Sequence, residues 1–244
     1  MNDVVPLGRG PRGLACRRRD GRTPTLVFLP GYMSDMDGSK ATALDSWAAG
    51  KGRAMLRFDY SGCGLSGGDF EAQTLEIWRD DALAMIDSLD GPVVLVGSSM
   101  GGWLMLLAAL ERPSRVAALI GIAAAPDFTD WGFDPAQKAT IRETGRLEEP
   151  SPYGEAPYVT TRAFWESGEA LKLLGDEIAI DCPVRLLHGL ADADVPWRVS
   201  LRLMERLRSA DVQATLIKDG DHRLSREGDL ARLLATADAL LETL

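Results

Sequence analysis

Two serines stand side by side in Val93-Val94-Leu95-Val96-Gly97-Ser98-Ser99-Met100-Gly101-Gly102-Trp103, between an apolar run and a pair of glycines. A serine hydroxyl is a weak nucleophile; it attacks an acyl carbon once a neighbouring base takes its proton and nearby donors stabilise the oxyanion. Such a serine belongs on a sharp strand-to-helix turn, with small residues two positions before and two after so that the chain bends without a clash. Gly97 and Gly101 bracket Ser99 in this way, whereas around Ser98 the same positions are Val96 and Met100. Gly64-Leu65-Ser66-Gly67-Gly68 matches the same pattern but follows a glycine-rich loop, not a strand. Ser99 is therefore the expected nucleophile, and Ser98 and Ser66 are expected to be turn residues.

The base is usually histidine, and this chain has two. His222 lies in Lys218-Asp219-Gly220-Asp221-His222-Arg223, a polar turn after the last expected strand, where loops collect at the carboxyl edge of a parallel sheet. His188 ends an apolar run and is expected to be a hydrogen-bonded strand-end residue. An acid must then fix the tautomer of His222 and steady its imidazolium. Asp219 and Asp221 are too close in sequence to reach the far side of the ring. The loop after Leu187, with Asp192 and Asp194, is preferred. The resulting order of serine, aspartate, histidine is that of α/β hydrolases, not of chymotrypsin or subtilisin. Oxyanion donors are expected from the Met100 N–H, at a helix N-terminus, and from the Tyr32 N–H in the loop after the first core strand.

Stepping outward to the elements that must carry these groups, residues 25–29, 54–58, 93–96, 116–123, 184–187 and 214–217 are near-continuous apolar runs. Such runs suit parallel strands covered on both faces. Helical periodicity occupies 39–51, 75–89, 101–111, 197–208 and 230–241; Leu75, Trp78, Ala82, Met85, Ile86 and Leu89 form one apolar stripe. Alternating strands and helices predict one α/β domain over 1–244, a mainly parallel twisted sheet with helices on both faces. Residues 126–180 break the rhythm with prolines, Pro152 among them, and with Trp131, Phe133, Tyr153, Tyr158, Phe164 and Trp165. A stretch this long is expected to hold short helices of its own and to form a cap.

The 244 residues are 45% hydrophobic with a formal net charge of -9, which argues against nucleic acid or an anionic membrane surface as partner. Arg9, Arg12, Arg17, Arg18, Arg19 and Arg22 form one basic cluster, but Asp3 and Asp20 interrupt it. We expect a surface hairpin here, with Asp20-Gly21 as a tight turn, and not a transit peptide. Cys16, Cys63 and Cys182 form no disulfide framework and suit a reducing compartment. No apolar run is long enough for a membrane span, and the scarcity of histidine makes a zinc site unexpected.

LPGYMSDMDGSKA, RFDYSGCGLSGG, VLVGSSMGGWLML, ALIGIAAA, RLLHGLADADVPW and GDHRLSR together resemble the mitochondrial palmitoyl-protein thioesterase group of α/β-hydrolase-domain proteins, which also acts on acyl glucuronides. The resemblance runs from about residue 26 to 226. It implies the α/β-hydrolase fold, Ser99 as nucleophile and His222 as base. Through the pattern HGxxDxxVP it also implies Asp192, rather than Asp194, as acid. It further implies hydrolysis of acyl thioesters or carboxylic esters, of a small molecule or an acylated protein, without metal or organic cofactor. The sequence lacks the group's long targeting extension, so a cytoplasmic location is expected. The cap matches only weakly; Trp103, Trp131, Phe164 and Trp165 are the expected pocket residues. A small-ester carboxylesterase and a non-catalytic binding protein on the same fold stay open as alternatives.

Overall fold

The computed structural model describes residues 5–150 and 157–244; Asp3, Pro152 and Tyr153 lie outside them. The apolar runs become strands whose side chains alternate between two buried faces. Leu26 and Phe28 point to one core with Val94, Val96 and Ile120, and Val27 and Leu29 to the other with Val93, Leu95 and Leu119. Every one of these ten side chains is at most 3% exposed. Burial of an aliphatic side chain of this kind stabilises by roughly 1.5–3 kcal/mol.

The strands in chain order are β1 (Leu7–Arg9), β2 (Ala15–Arg19), β3 (Arg22–Leu29), β4 (Arg53–Phe58), β5 (Val93–Ser98), β6 (Val116–Ile122), β7 (Arg146–Glu149), β8 (Tyr158–Thr161), β9 (Val184–Gly189) and β10 (Val212–Ile217). Among the described residues, one eight-stranded sheet runs in the order β1-β2-β4-β3-β5-β6-β9-β10. It is parallel from β4 to β10, with β1 and β2 antiparallel at one edge. The strand order reverses direction between β3 and β5. That switch point opens a crevice at the carboxyl ends of the strands.

Helices α1 (Ser39–Lys51) and α8 (Glu227–Leu241) cover one face; α2 (Leu75–Asp87), α3 (Met100–Glu111) and α7 (Arg198–Arg206) cover the other. Thr74 caps α2 by accepting a hydrogen bond from the Ile77 N–H, and Gly52 ends α1 in the left-handed conformation. The expected strands and helices all form, within a few residues of the expected ends.

The basic N-terminal cluster folds differently from expectation. β1 and β2 do form a hairpin, but β2 and β3 do not pair across Asp20-Gly21, because β4 lies between them. Four of its arginines face carboxylates: Arg12 meets Asp81 at 2.9 Å, Arg17 meets Asp37 at 3.1 Å, Arg18 meets Asp20 at 3.6 Å and Arg19 meets Asp45 at 3.0 Å.

Between β6 and β9 the chain leaves the sheet. It forms α4 (Phe128–Trp131), α5 (Pro135–Thr144), the antiparallel pair β7 and β8, and α6 (Arg162–Ala170). The helices agree with expectation; the small second sheet is additional. An Asp134–Gln137 capping box starts α5, and Thr161 caps α6 through the Phe164 N–H.

Candidate active site

Ser99 stands between the last residue of β5 and the first of α3 with φ 54° and ψ −121°. That strained backbone turns the hydroxyl out of the sheet, and the close approach of strand, elbow and helix around it requires glycine on both sides. A Cβ on Gly97 would stand 2.4 Å from the Gly101 carbonyl oxygen, and one on Gly101 would stand 2.1 Å from that of Leu29. Ser98, expected in the turn, is the buried final residue of β5, paired with Ile122, because the strand continues up to the elbow. Ser66 is held in the loop after β4: its Oγ donates to the Asp59 carbonyl at 2.7 Å and accepts from the Ala15 N–H at 2.9 Å.

His222 reaches Ser99 from the loop after β10. Its Nε2 lies 3.1 Å from Ser99 Oγ, and its Nδ1 lies 2.9 Å from Asp192 Oδ2 in the loop after β9. The Asp192 side chain is wholly buried, and its Oδ1 accepts from the N–H groups of Asp194 at 2.9 Å and Val195 at 2.8 Å. Burial opposes its charge. Hydrogen bonds from His188 and His222, the His222 charge and the Val195 N–H outweigh burial and hold the carboxyl well below the ordinary range.

The other candidates are engaged elsewhere. Asp219 pairs with Arg226 at 3.0 Å, and Asp221 accepts from the Leu224 N–H at 2.9 Å. Asp194 is exposed at the cavity rim. His188 is buried at the strand end, with Nδ1 2.7 Å from Ser200 Oγ.

The loop after β3 closes the opposite side. A Cβ on Gly31 would meet the Cβ of Ser99 at 3.3 Å, so the loop backbone runs directly beside the serine. The N–H groups of Tyr32 and Met100 have no hydrogen-bond acceptor among the described residues, which leaves both available to an anion. The Tyr32 ring packs against Phe70, Trp78, Phe128, Tyr158 and Phe164, and its hydroxyl donates to the Val159 carbonyl of β8. Burial pushes that phenol far above its usual range.

A cavity of about 730 Å³ opens onto Ser99 and His222. Tyr32, Phe128, Trp131, Phe133 and Tyr158 form its aromatic side; Ser34, Asp35, Ser39, Lys40 and Arg223 form a polar side. The Lys40 Nζ donates to the Arg223 carbonyl at 2.6 Å. Burial and the Arg223 cation push its pKa down to about 8, with Asp221 opposing.

Of the expected pocket residues, Trp131 lines this cavity. Trp103, Phe164 and Trp165 do not; they are at most 6% exposed and pack behind the wall. The two buried indoles satisfy their N–H groups there: Trp103 donates to the Leu171 carbonyl at 3.2 Å and Trp165 to that of Thr129 at 3.0 Å. Phe128, which sequence reasoning missed, follows six residues after the end of β6 and rests on Trp103 at 5.7 Å. Asp192, Asp194 and His222 have potential metal-ligating atoms within 4.8 Å of one another. Both ring nitrogens of His222 and both oxygens of Asp192 are already engaged in hydrogen bonds. No helix among the described residues is long and apolar enough to cross a membrane.

Sequence comparison matches residues 26–242 to the alpha/beta hydrolase family. The human mitochondrial palmitoyl-protein thioesterase ABHD10 is 43% identical over 236 residues, 95% of this chain and 77% of that protein. The structure is similar to that of mouse alpha/beta hydrolase domain-containing protein 10, with a TM-score of 0.91, 40% identity and coverage of 98% of this chain and 99% of the other. A putative hydrolase from Agrobacterium vitis S4 aligns with a TM-score of 0.88 and 39% identity, over 97% of both chains. The cytoplasmic expectation is corrected by these relatives: the human, orangutan and mouse proteins are named mitochondrial and point to the mitochondrion. Unpaired cysteines suit any reducing compartment and do not single out the cytoplasm. With the sheet order, the elbow at Ser99 and a match across residues 26–242, the chain is a hydrolase and belongs to the alpha/beta hydrolase family.

Proposed function

We propose that the protein is a serine hydrolase that cleaves acyl thioesters or carboxylic esters carrying an apolar acyl group, in the manner of a palmitoyl-protein thioesterase. The hydrogen-bonded chain from Ser99 Oγ through His222 to Asp192 carries the proposal. His222 Nε2 accepts the Ser99 proton as Oγ attacks the acyl carbon, and Asp192 steadies the imidazolium through Nδ1–H. The Tyr32 and Met100 N–H groups receive the oxyanion. His222 then protonates the leaving thiol or alcohol. Water, activated by the same ring, hydrolyses the acyl-enzyme and regenerates the serine.

Residues 126–180 serve as a cap that supplies most of the aromatic wall. An acyl chain lying along Phe128, Trp131, Phe133 and Tyr158 gains about 0.8 kcal/mol for each buried CH₂. The substrate is a small molecule or an acylated protein. The high identity to proteins named palmitoyl-protein thioesterase favours a long acyl group.

A fluorophosphonate probe tests the assignment. Wild type and Ser98→Ala are expected to be labelled and Ser99→Ala is not; persistent labelling of Ser99→Ala refutes the nucleophile. Rates on a series of acyl thioesters and matched oxygen esters should rise with chain length. A preference for acetyl or butyryl esters would overturn the long-acyl reading while leaving the nucleophile in place.

A further inference from the structure

A second histidine touches the carboxylate that holds His222. His188 is 0% exposed at the end of β9, and its Nε2 lies 3.2 Å from Asp192 Oδ2 and 3.0 Å from the Val195 carbonyl oxygen. Both neighbours can only accept, so Nε2 carries a proton: its hydrogen bond goes to the Val195 carbonyl, and the Asp192 carboxylate lies in close electrostatic contact beside it. On the other side of the ring, Nδ1 lies 2.7 Å from the hydroxyl of Ser200, itself 1% exposed on α7. Asp192 Oδ2 is also the oxygen that contacts His222 Nδ1 at 2.9 Å.

We propose that His188 is a positioning residue for the hydrolytic reaction: its Nε2–H, held between Ser200 and the Val195 carbonyl, faces Asp192 Oδ2 and sets the orientation and basicity of the carboxylate that steadies His222. The inference rests on the assignment of Asp192 and His222 as acid and base.

A carboxylate has about four lone-pair positions. Here the Asp194 and Val195 N–H groups bond Oδ1, His222 bonds Oδ2, and the His188 N–H faces Oδ2 at 3.2 Å. Losing that N–H removes a buried positive dipole from beside Oδ2 and makes the carboxylate a stronger base. Its bond to His222 then strengthens, the imidazolium is stabilised, and His222 stays protonated to higher pH. The acid limb of the rate profile moves upward.

Turnover falls as well, because the buried ring that holds the Asp192 carboxylate in place from the β9 side is gone. Substrate binding is unaffected, since His188 does not line the cavity. The other groups facing His222 are unaltered by the change: Ser99 on the elbow, Asp194 after β9, and Asp221 and Arg223 beside it in the chain. Lys40 from α1, Asp35 after β3 and Glu149 on β7 complete the charged lining of the cavity.

The test measures kcat and KM for a p-nitrophenyl ester between pH 5 and 9 on the full chain, with folding followed by thermal melting. His188→Leu should lower kcat by roughly tenfold, keep KM within about twofold and raise the acid-limb midpoint by about half a unit or more. His188→Gln, which keeps an N–H near the Nε2 position, should recover the midpoint and most of the rate. Ser200→Ala should shift the midpoint in the same direction by less.

A folded His188→Leu enzyme with wild-type kcat and midpoint overturns the proposal. So does equal loss in the Leu and Gln variants with no midpoint shift, which would make His188 a packing residue. If His188→Leu does not fold, Ser200→Ala decides: an upward midpoint supports the proposal and an unchanged one overturns it. Wild-type turnover in Asp192→Asn would instead refute the acid assignment beneath it.

Discussion

At the carboxyl edge of the sheet, Ser99, Asp192 and His222 follow β5, β9 and β10, and both Asp192 oxygens are hydrogen-bonded. Across the cavity, the wall between β6 and β9 is made mainly of rings carried by short helices and a two-stranded pair of four residues each. The first region is fixed by polar bonds on a rigid scaffold, where a displacement of an ångström costs turnover. The second is fixed largely by aromatic packing, which tolerates volume-conserving changes. Under the proposed function, chemistry and acyl selectivity would be carried by different kinds of contact.

The sharpest break would come at the elbow. Ser99→Ala should lower kcat by about 10⁶-fold on every substrate, measured by steady-state kinetics with active-site titration. A loss of only a few-fold would end the assignment of chemistry to the sheet edge.

Asp192→Asn should follow with a loss of about 10⁴-fold. It also has a stability signature. The native carboxyl is held below its ordinary value, so the stability it adds is present above about pH 4 and disappears as pH falls through the depressed value. Urea midpoints of wild type and Asp192→Asn should therefore converge below about pH 4. A constant gap would show that this carboxylate is not favoured in the folded state.

Two tryptophans separate packing from selectivity. Trp103→Ala, behind the wall, should destabilise by about 3–5 kcal/mol in chemical denaturation. Trp131→Ala, on the wall, should melt nearer to wild type and lower kcat/KM for long acyl chains more than for short ones. The reverse pattern would exchange the two roles.

The smallest effect is expected from Tyr32→Phe, which removes the bond to the Val159 carbonyl, worth about 1 kcal/mol. Its signature is a fall in kcat with little change in melting temperature. An unchanged kcat would uncouple the oxyanion loop from β8.

The sheet was readable because its strands are buried on both faces, which leaves runs such as Val93 to Val96 without polar interruption. The hydrogen-bonded set of Ser99, His222 and Asp192 was readable for a different reason: the two glycines around Ser99 have a steric purpose, and two histidines leave few choices. The placement of β4 between β2 and β3 was not, since pairing between distant segments leaves no local pattern. β7 was hidden because Arg146-Leu147-Glu148-Glu149 is short, charged and partly exposed, and so poor in strand signal. The rings behind the wall were mistaken for lining because the residues around Trp131 and Trp165 are equally aromatic in sequence; only burial in the folded chain separates them. The contact between His188 and Asp192 left a trace in the four-residue spacing of His188-Gly189-Leu190-Ala191-Asp192, which a loop folding back on its own strand end brings together.

Tyr32 has its backbone beside Ser99 and its hydroxyl on β8. For protein engineering, this makes residues 126–180 something other than a detachable cassette. A segment transplanted from another hydrolase would alter the proposed acyl pocket and also unseat the loop whose Tyr32 N–H is the proposed oxyanion donor. A successful chimera must bring its own acceptor for that phenol, or replace the tyrosine together with the segment.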